Sequence, residues 1–247
     1  EKGAVIIERP DITINLEGAG ESITVSLDED PLAPKAHLLV SELMVLTNAA
    51  LAAWAKEHGV TLLHRTQDVA IPKEFSGIWQ TPLEIARVVK ALAPAVLETN
   101  PRPHAGLGEA MYAPSTSPLR RYPDMINETQ IISLLRDGKP RWSKEELDTL
   151  LPLLNAHLDA AGQVQRFRPR YWKLLYFKQQ GDRWWPAVIT DENDAFVTVN
   201  MPKEQMIVRA RRQFFGERTH PGQELEIRLG KVHPLQNDFQ LLETREI

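Results

Sequence analysis

The chain has 247 residues, a net charge of −4, 43% hydrophobic and 25% charged residues, and no cysteine. This mix builds a packed core and excludes a disordered chain, while the lack of thiols excludes disulfides and thiolate metal sites and fits a cytoplasmic protein. No uninterrupted apolar run approaches the roughly 18–20 residues of a membrane span, and no charged-then-apolar leader opens the chain, so no membrane partner is expected.

Residues 3–27 alternate as strands do, with Ala4–Ile7, Ile12–Ile14 and Ser22–Ser26 separated by Pro10-Asp11 and Gly18-Ala19-Gly20. An antiparallel pair or meander is predicted. Asp28-Glu29-Asp30, followed by Pro31, reads as a solvated turn, because a cation site needs carboxylates that converge. A long helix is predicted over 35–58. Its Leu38, Leu39, Val40, Leu43, Met44, Val45, Leu46, Leu51 and Trp54 surround most of the circumference, as in a helix buried on several sides. His37, Ser41 and Asn48 share a narrow arc that is either a thin solvent face or a polar seam lining a channel.

A short strand is predicted over 61–67 and an amphipathic helix over Leu83–Leu97, with Pro82 at its start and Pro94 near its end. Five prolines between 101 and 123 stiffen the next segment and keep it out of a central strand. It contains Thr116-Ser117-Pro118-Leu119-Arg120-Arg121-Tyr122, which leads into a helix predicted over 124–136 and stopped by Gly138. The loop thus offers hydroxyls and two guanidinium groups beside a helix N-terminus, where an anion is readily held. A guanidinium fork also donates two parallel hydrogen bonds to a phosphate.

Ser143-Lys144-Glu145-Glu146 is a capping box that opens the next helix. Pro152 is expected to split that helix, and a second long helix to reach about Phe177 with a kink at Pro169. Arg166, Arg168, Arg170, Lys173 and Lys178 have no acid among them and are mixed with Phe167, Tyr171, Trp172 and Tyr176. From Gly181 the period changes to two. Five short strands are predicted at 184–189, 195–199, 205–208, 224–229 and 239–242, which matches an OB-fold barrel, a frequent binder of single strands.

Charge is unevenly spread. Residues 1–115 hold 9 basic and 15 acidic groups, or −6, whereas 116–247 hold 20 and 18, or +2. Lys203, Arg209, Arg211, Arg212 and Arg218 form a second basic stripe in that same half. Such stripes are either solvated faces or a surface that follows a polyanion.

The order of motifs resembles the ribonuclease II family of 3′→5′ exoribonucleases. The resemblance rests on His104-Ala105-Gly106-Leu107-Gly108, Tyr112, the Thr116–Tyr122 run and Asp124-Met125-Ile126-Asn127. Ser41-Glu42-Leu43-Met44 through Asn48 adds to it. It covers most of residues 1–178 and implies an α+β fold: the C-terminal portion of an RNB-type catalytic domain over 1–178, then an S1-type OB-fold barrel over 179–247.

The activity implied is processive 3′→5′ hydrolysis of single-stranded RNA to nucleoside 5′-monophosphates, assisted by Mg²⁺. The resemblance makes Arg120 the catalytic residue at the scissile phosphate, inside a tunnel. Tyr112, Thr116, Ser117, Arg121, Asn127, Arg166, Arg168 and Arg170 become RNA-binding residues, with Arg121 facing either an acid or a neighbouring phosphate. No metal ligands are assigned, because the family's closely spaced aspartates have no counterpart here. They are expected upstream, in an N-terminal part of the same enzyme that serves as a partner. Two departures stand out. Asn127-Glu128-Thr129 replaces the family's Asn-His-Arg, and Gln165 aligns where some members carry a functional glutamate. The alternatives are a non-catalytic RNA-binding protein of the same fold and, more weakly, a single-stranded DNA binder.

Overall fold

The computed structural model describes residues 3–30, 35–67, 69–216 and 218–247; Pro31 lies outside them. In chain order the main elements are β1 (Val5–Ile7), β2 (Ile12–Glu17), β3 (Thr24–Glu29), α1 (Lys35–Glu57), β4 (His64–Thr66), β5 (Gly77–Trp79) and α2 (Pro82–Ala91). Then come β6 (Val96–Glu98), α3 (Tyr122–Asp137), α4 (Lys144–Gln180), β7 (Trp184–Glu192), β8 (Phe196–Met201), β9 (Met206–Arg211), β10 (Glu224–His233) and β11 (Asp238–Glu246). They form two compact units, one of residues 1–7, 33–78 and 90–160, the other of 8–32, 79–89 and 161–247. This division falls inside α4, whereas the sequence suggested a boundary at 178/179.

In the first unit α1, α3 and the first half of α4 enclose two apolar clusters. Ala52, Ala55, Val60, Leu62 and Ala113 form one, and Leu63, Leu97, Ile126, Leu147 and Leu154 the other. α1 departs from the expected all-round burial. Asn48, Ala52 and Ala55 are buried, but Leu38, Leu39, Val40, Leu43 and Leu46 are exposed. Contrary to the run-length expectation, α1 is also long and apolar enough, by length and composition alone, to cross a membrane. Its second half is committed to the core of this unit.

The helix predicted at 83–97 ends at Ala91, and Val96–Glu98 forms β6, antiparallel to β4. Pro94 explains the stop, since the residue before a proline is pushed out of the helical region. α3 ends as predicted, with Gly138 at φ 71° donating its N–H to the Leu134 carbonyl at 3.0 Å. α4 runs unbroken for 37 residues through both prolines. Its start is the expected capping box. Ser143 N–H donates to Glu146 Oε2 at 2.8 Å, and Glu146 N–H donates to Ser143 Oγ at 3.2 Å.

In the second unit the predicted meander is the antiparallel pair β2–β3, with Ile14 opposite Leu27. β3 extends through Asp28 and Glu29, so that acidic run belongs to a strand rather than a turn. Asp28 and Asp30 carboxylates accept from Asn15 (2.6 Å) and Thr13 (2.7 Å) across the ladder. All five C-terminal strands are present as one antiparallel sheet, ordered β11-β10-β7-β8-β9. Bulges in β10–β11 and β7–β8 bend it into a half-barrel. At the bulge a Cβ on Gly230 would lie 2.8 Å from Leu242 Cδ2, so the half-exposed Leu242 side chain would have to shift to admit one. Alternate residues fill the inside, where Trp185, Ile189, Val197, Val199, Met201 and Ile227 pack with Leu174 and Phe177 of α4. Phe177 meets Trp185 edge-on at 4.8 Å.

Candidate nucleic-acid interface

The proline-rich loop of the first unit is held by three side chains that are almost entirely inaccessible: Asn48, Asp124 and Asn127. Asn48 Oδ1 accepts from the Ser115 N–H at 2.9 Å, and its Nδ2 donates to Tyr112 Oη at 2.8 Å and approaches Thr116 Oγ1 at 3.4 Å. The polar arc of α1 is therefore divided. Asn48 turns into the loop, while His37 and Ser41 are exposed.

Asp124, in the first turn of α3, accepts from the Ser117 N–H at 2.9 Å and from Arg121 Nη2 at 2.7 Å, both through Oδ2. Arg121 also lies 3.4 Å from Thr116 Oγ1. Of the two partners expected for Arg121, the acid is present, as Asp124. Asp124 also occupies the helix N-terminus at which a phosphate was expected, supplying the negative charge favoured there. Asp124 Oδ1 and Arg121 Nε are both buried without partners.

Asn127 clamps the far side. Its Oδ1 accepts from the Leu63 N–H at 2.7 Å, and its Nδ2 donates to the carbonyls of Leu63 (2.9 Å) and Pro114 (2.8 Å). Each polar atom of that amide is used, so Asn127 braces backbone instead of facing RNA, which corrects the sequence expectation. Tyr112 and Thr116 are likewise tied inward by Asn48, although both remain partly accessible.

Arg120 is the group this bracing leaves free. It is exposed, and its Nη2 stands 3.5 Å from Ser117 Oγ, so a guanidinium and a hydroxyl lie side by side on a fixed loop. Behind the loop, His104 meets the Tyr112 ring edge-on at 5.7 Å, and the Tyr112 carbonyl accepts from the Arg65 N–H at 2.9 Å. Burial lowers the pKa of His104, and the Arg65 charge lowers it further. Burial takes His64 down to about 4 despite the opposing charge of Glu98. Gly106 fits because a Cβ would sit 2.7 Å from Gln67 Oε1, which accepts the Gly106 N–H.

The second unit has its own basic surface. A cavity of about 640 Å³ opens beside the edge strands β9 and β11, lined among others by Arg170, Phe196, Arg209, Arg211 and Phe239. Arg209 sits 4.3 Å from the centre of the Phe196 ring and Arg170 5.7 Å from that of Phe239. Arg170 also points Nη1 at the Ile207 carbonyl at 3.4 Å. Burial lowers its pKa, with Asp238 opposing the shift, but a guanidinium stays charged at any working pH. Arg166 and Arg168 are exposed on α4 and do not line this cavity. The convergence of Phe196, Arg209 and Phe239 escaped the sequence, where the only signal was basic residues alternating with apolar ones along a strand.

Among the described residues no group of three or more His, Asp or Glu side chains could hold a metal ion. A divalent-cation site therefore does not fit these residues.

Comparison with known proteins places these features in context. The RNB domain profile matches residues 1–137. An uncharacterized ribonuclease of Synechocystis sp. is 24% identical, across 98% of this chain and 36% of its own length. The chloroplastic/mitochondrial ribonuclease II of Arabidopsis thaliana is 26% identical, across 85% of this chain and 26% of its own. This chain thus spans about a third or less of those relatives. An active-site mutant of the Dss1 exoribonuclease from Candida glabrata superposes with a TM-score of 0.82 at 22% identity, covering 98% of this chain and 32% of that one. Mycoplasma genitalium RNase R, solved with ribose-methylated single-stranded RNA, gives 0.72 at 16% identity, covering 98% and 46%. At such identities the two structures establish a shared fold.

Proposed function

The chain belongs to the RNB-domain family, and on that premise we propose that it supplies the phosphate-gripping and RNA-binding part of a processive 3′→5′ exoribonuclease. The observation that carries the proposal is the Arg120 loop. Three buried polar side chains hold its backbone, Arg121 is spent on Asp124, and Arg120 alone projects beside a hydroxyl. That arrangement preorganises one cation where charge grows on a phosphodiester as it is cleaved.

The order β11-β10-β7-β8-β9 of the C-terminal half-barrel supports reading it as an S1-type OB-fold. On this reading it binds single-stranded RNA with phosphates on Arg170 and Arg209 and bases near Phe196 and Phe239. Arg166 and Arg168 add positive charge along α4. The resemblance implies Mg²⁺-assisted hydrolysis, and the carboxylates among the described residues do not converge on a metal site. These residues bind and orient; the metal ligands would come from elsewhere in the enzyme.

The test is to incubate the full-length gene product with 5′-labelled single-stranded RNA and Mg²⁺. Stepwise shortening from the 3′ end is expected. RNA that is bound tightly and left intact would favour a non-catalytic RNA-binding protein instead. Arg120→Ala is expected to lower turnover by about 10²–10³ with a much smaller loss of RNA affinity, as for removal of a donor that acts in the transition state. Equal losses in both would reduce Arg120 to an ordinary phosphate contact.

A further inference from the structure

Hydrogen-bond directions around Asn48 fix which way the hydroxyl groups of the proline-rich loop point. The Ser115 N–H can only donate, so the Asn48 atom it meets at 2.9 Å is the carbonyl oxygen Oδ1, and the other is the amide nitrogen Nδ2. That nitrogen has two hydrogens and no lone pair to offer. Tyr112 Oη at 2.8 Å and Thr116 Oγ1 at 3.4 Å therefore accept from it, and neither can donate back. Asn48 is wholly buried, so solvent does not relax this polarity. A tyrosine kept for packing gives its hydrogen to a protein acceptor. Among the described residues none takes that of Tyr112, which is only half-buried.

The same polarity repeats along the loop. Arg121 Nη2 approaches Thr116 Oγ1 at 3.4 Å and Arg120 Nη2 approaches Ser117 Oγ at 3.5 Å, and a guanidinium only donates. Each hydroxyl thus receives from within, and its own hydrogen turns away. Tyr112, Thr116 and Ser117 then join Arg120 in presenting donors alone. Such a set suits a ligand group with lone pairs and no hydrogens, the non-bridging oxygens of a phosphodiester, and not a ribose hydroxyl or a base amine acting as donor. We propose that Tyr112 contacts RNA by donating its hydroxyl hydrogen to a backbone phosphate oxygen, and that Asn48 is the positioning residue that turns this hydrogen outward. The proposal rests on the RNA-binding reading of the Arg120 loop and adds to it a second donor and the residue that orients it.

Asn48→Asp is the diagnostic change. A carboxylate of the same shape still accepts the Ser115 N–H but draws the Tyr112 hydrogen inward. RNA affinity is measured with the full-length gene product and single-stranded RNA without Mg²⁺, so that binding is read without turnover. Tyr112→Phe and Asn48→Asp should each weaken binding by about tenfold, as for a lost hydrogen bond to a charged group. The double variant should lose little more than either alone, because both changes remove one interaction. The tyrosine doublet in the Raman spectrum separates hydroxyls that donate from those that accept, a readout that bracing alone would not move. The Tyr112 share, taken as the difference from Tyr112→Phe, should shift toward the donor form in Asn48→Asp. RNA added to the parent protein should shift it the same way, a check that does not need Asn48→Asp to fold. Tyr112→Phe binding RNA as the parent does, losses that add fully in the double variant, or a doublet unmoved by RNA would overturn the proposal. Absence of shortening from the 3′ end would overturn the exoribonuclease reading and leave this one standing.

Discussion

Removing the amide of Asn127 strands the Leu63 N–H and the carbonyls of Leu63 and Pro114 in a dry interior. Asn127→Ala should therefore cost on the order of 3 kcal/mol, read as a lower urea midpoint at unchanged m-value. An unaltered midpoint would show that water replaces the amide. His64 makes stability depend on pH. Its folded pKa is depressed to about 4 from 6.5, so the unfolded chain binds the proton first as pH falls through that window. Stability should be full above about pH 6.5 and decline by up to about 3 kcal/mol toward pH 4. His64→Gln should flatten this part of the profile, and an unchanged slope in that variant would assign the effect to other groups. Both arguments concern side chains whose types are plain in the sequence but whose partners are not. Asn127 reads as part of a ligand-binding motif until its three bonds are seen.

At the scale of elements, the caps and breakers behaved as local chemistry. Ser143 and Glu146 close the N-terminus of α4 reciprocally, so Ser143→Ala should lower stability by about 1 kcal/mol in thermal or chemical unfolding. Gly138 stops α3 because its left-handed φ suits a residue without Cβ. Prolines were less legible. Pro94 ends α2 early and leaves Val96–Glu98 to form a strand, whereas Pro152 and Pro169 sit inside an unbroken α4. Burial was the weakest inference. The apolar residues of α1 are legible, but the first half of that helix stands exposed, and its length and composition alone also fit a membrane span.

For the whole molecule, the excess positive charge of the C-terminal half predicts how RNA binding responds to salt. On the proposed reading, log affinity falls linearly with log salt, with about 0.7 of slope for each phosphate contacted on a single strand. Arg170→Ala combined with Arg209→Ala should flatten that slope by about 1.4. A slope that does not change would remove both residues from phosphate contact and leave the exposed Arg166 and Arg168 to account for it. Sequence alone determined what depends on neighbours in the chain: the change of period after Gly181, the capping box, the glycine stop, the stiff proline segment and the motif order that marks the family. Tertiary structure decided what depends on distant partners. Asn48 meets Ser115 across 67 positions, and Arg170 reaches Ile207 across 37. Periodicity says which face of an element is apolar or charged, but only packing selects the group opposite it. That selection turned Asn48, Asp124 and Asn127 into braces and left Arg120 free.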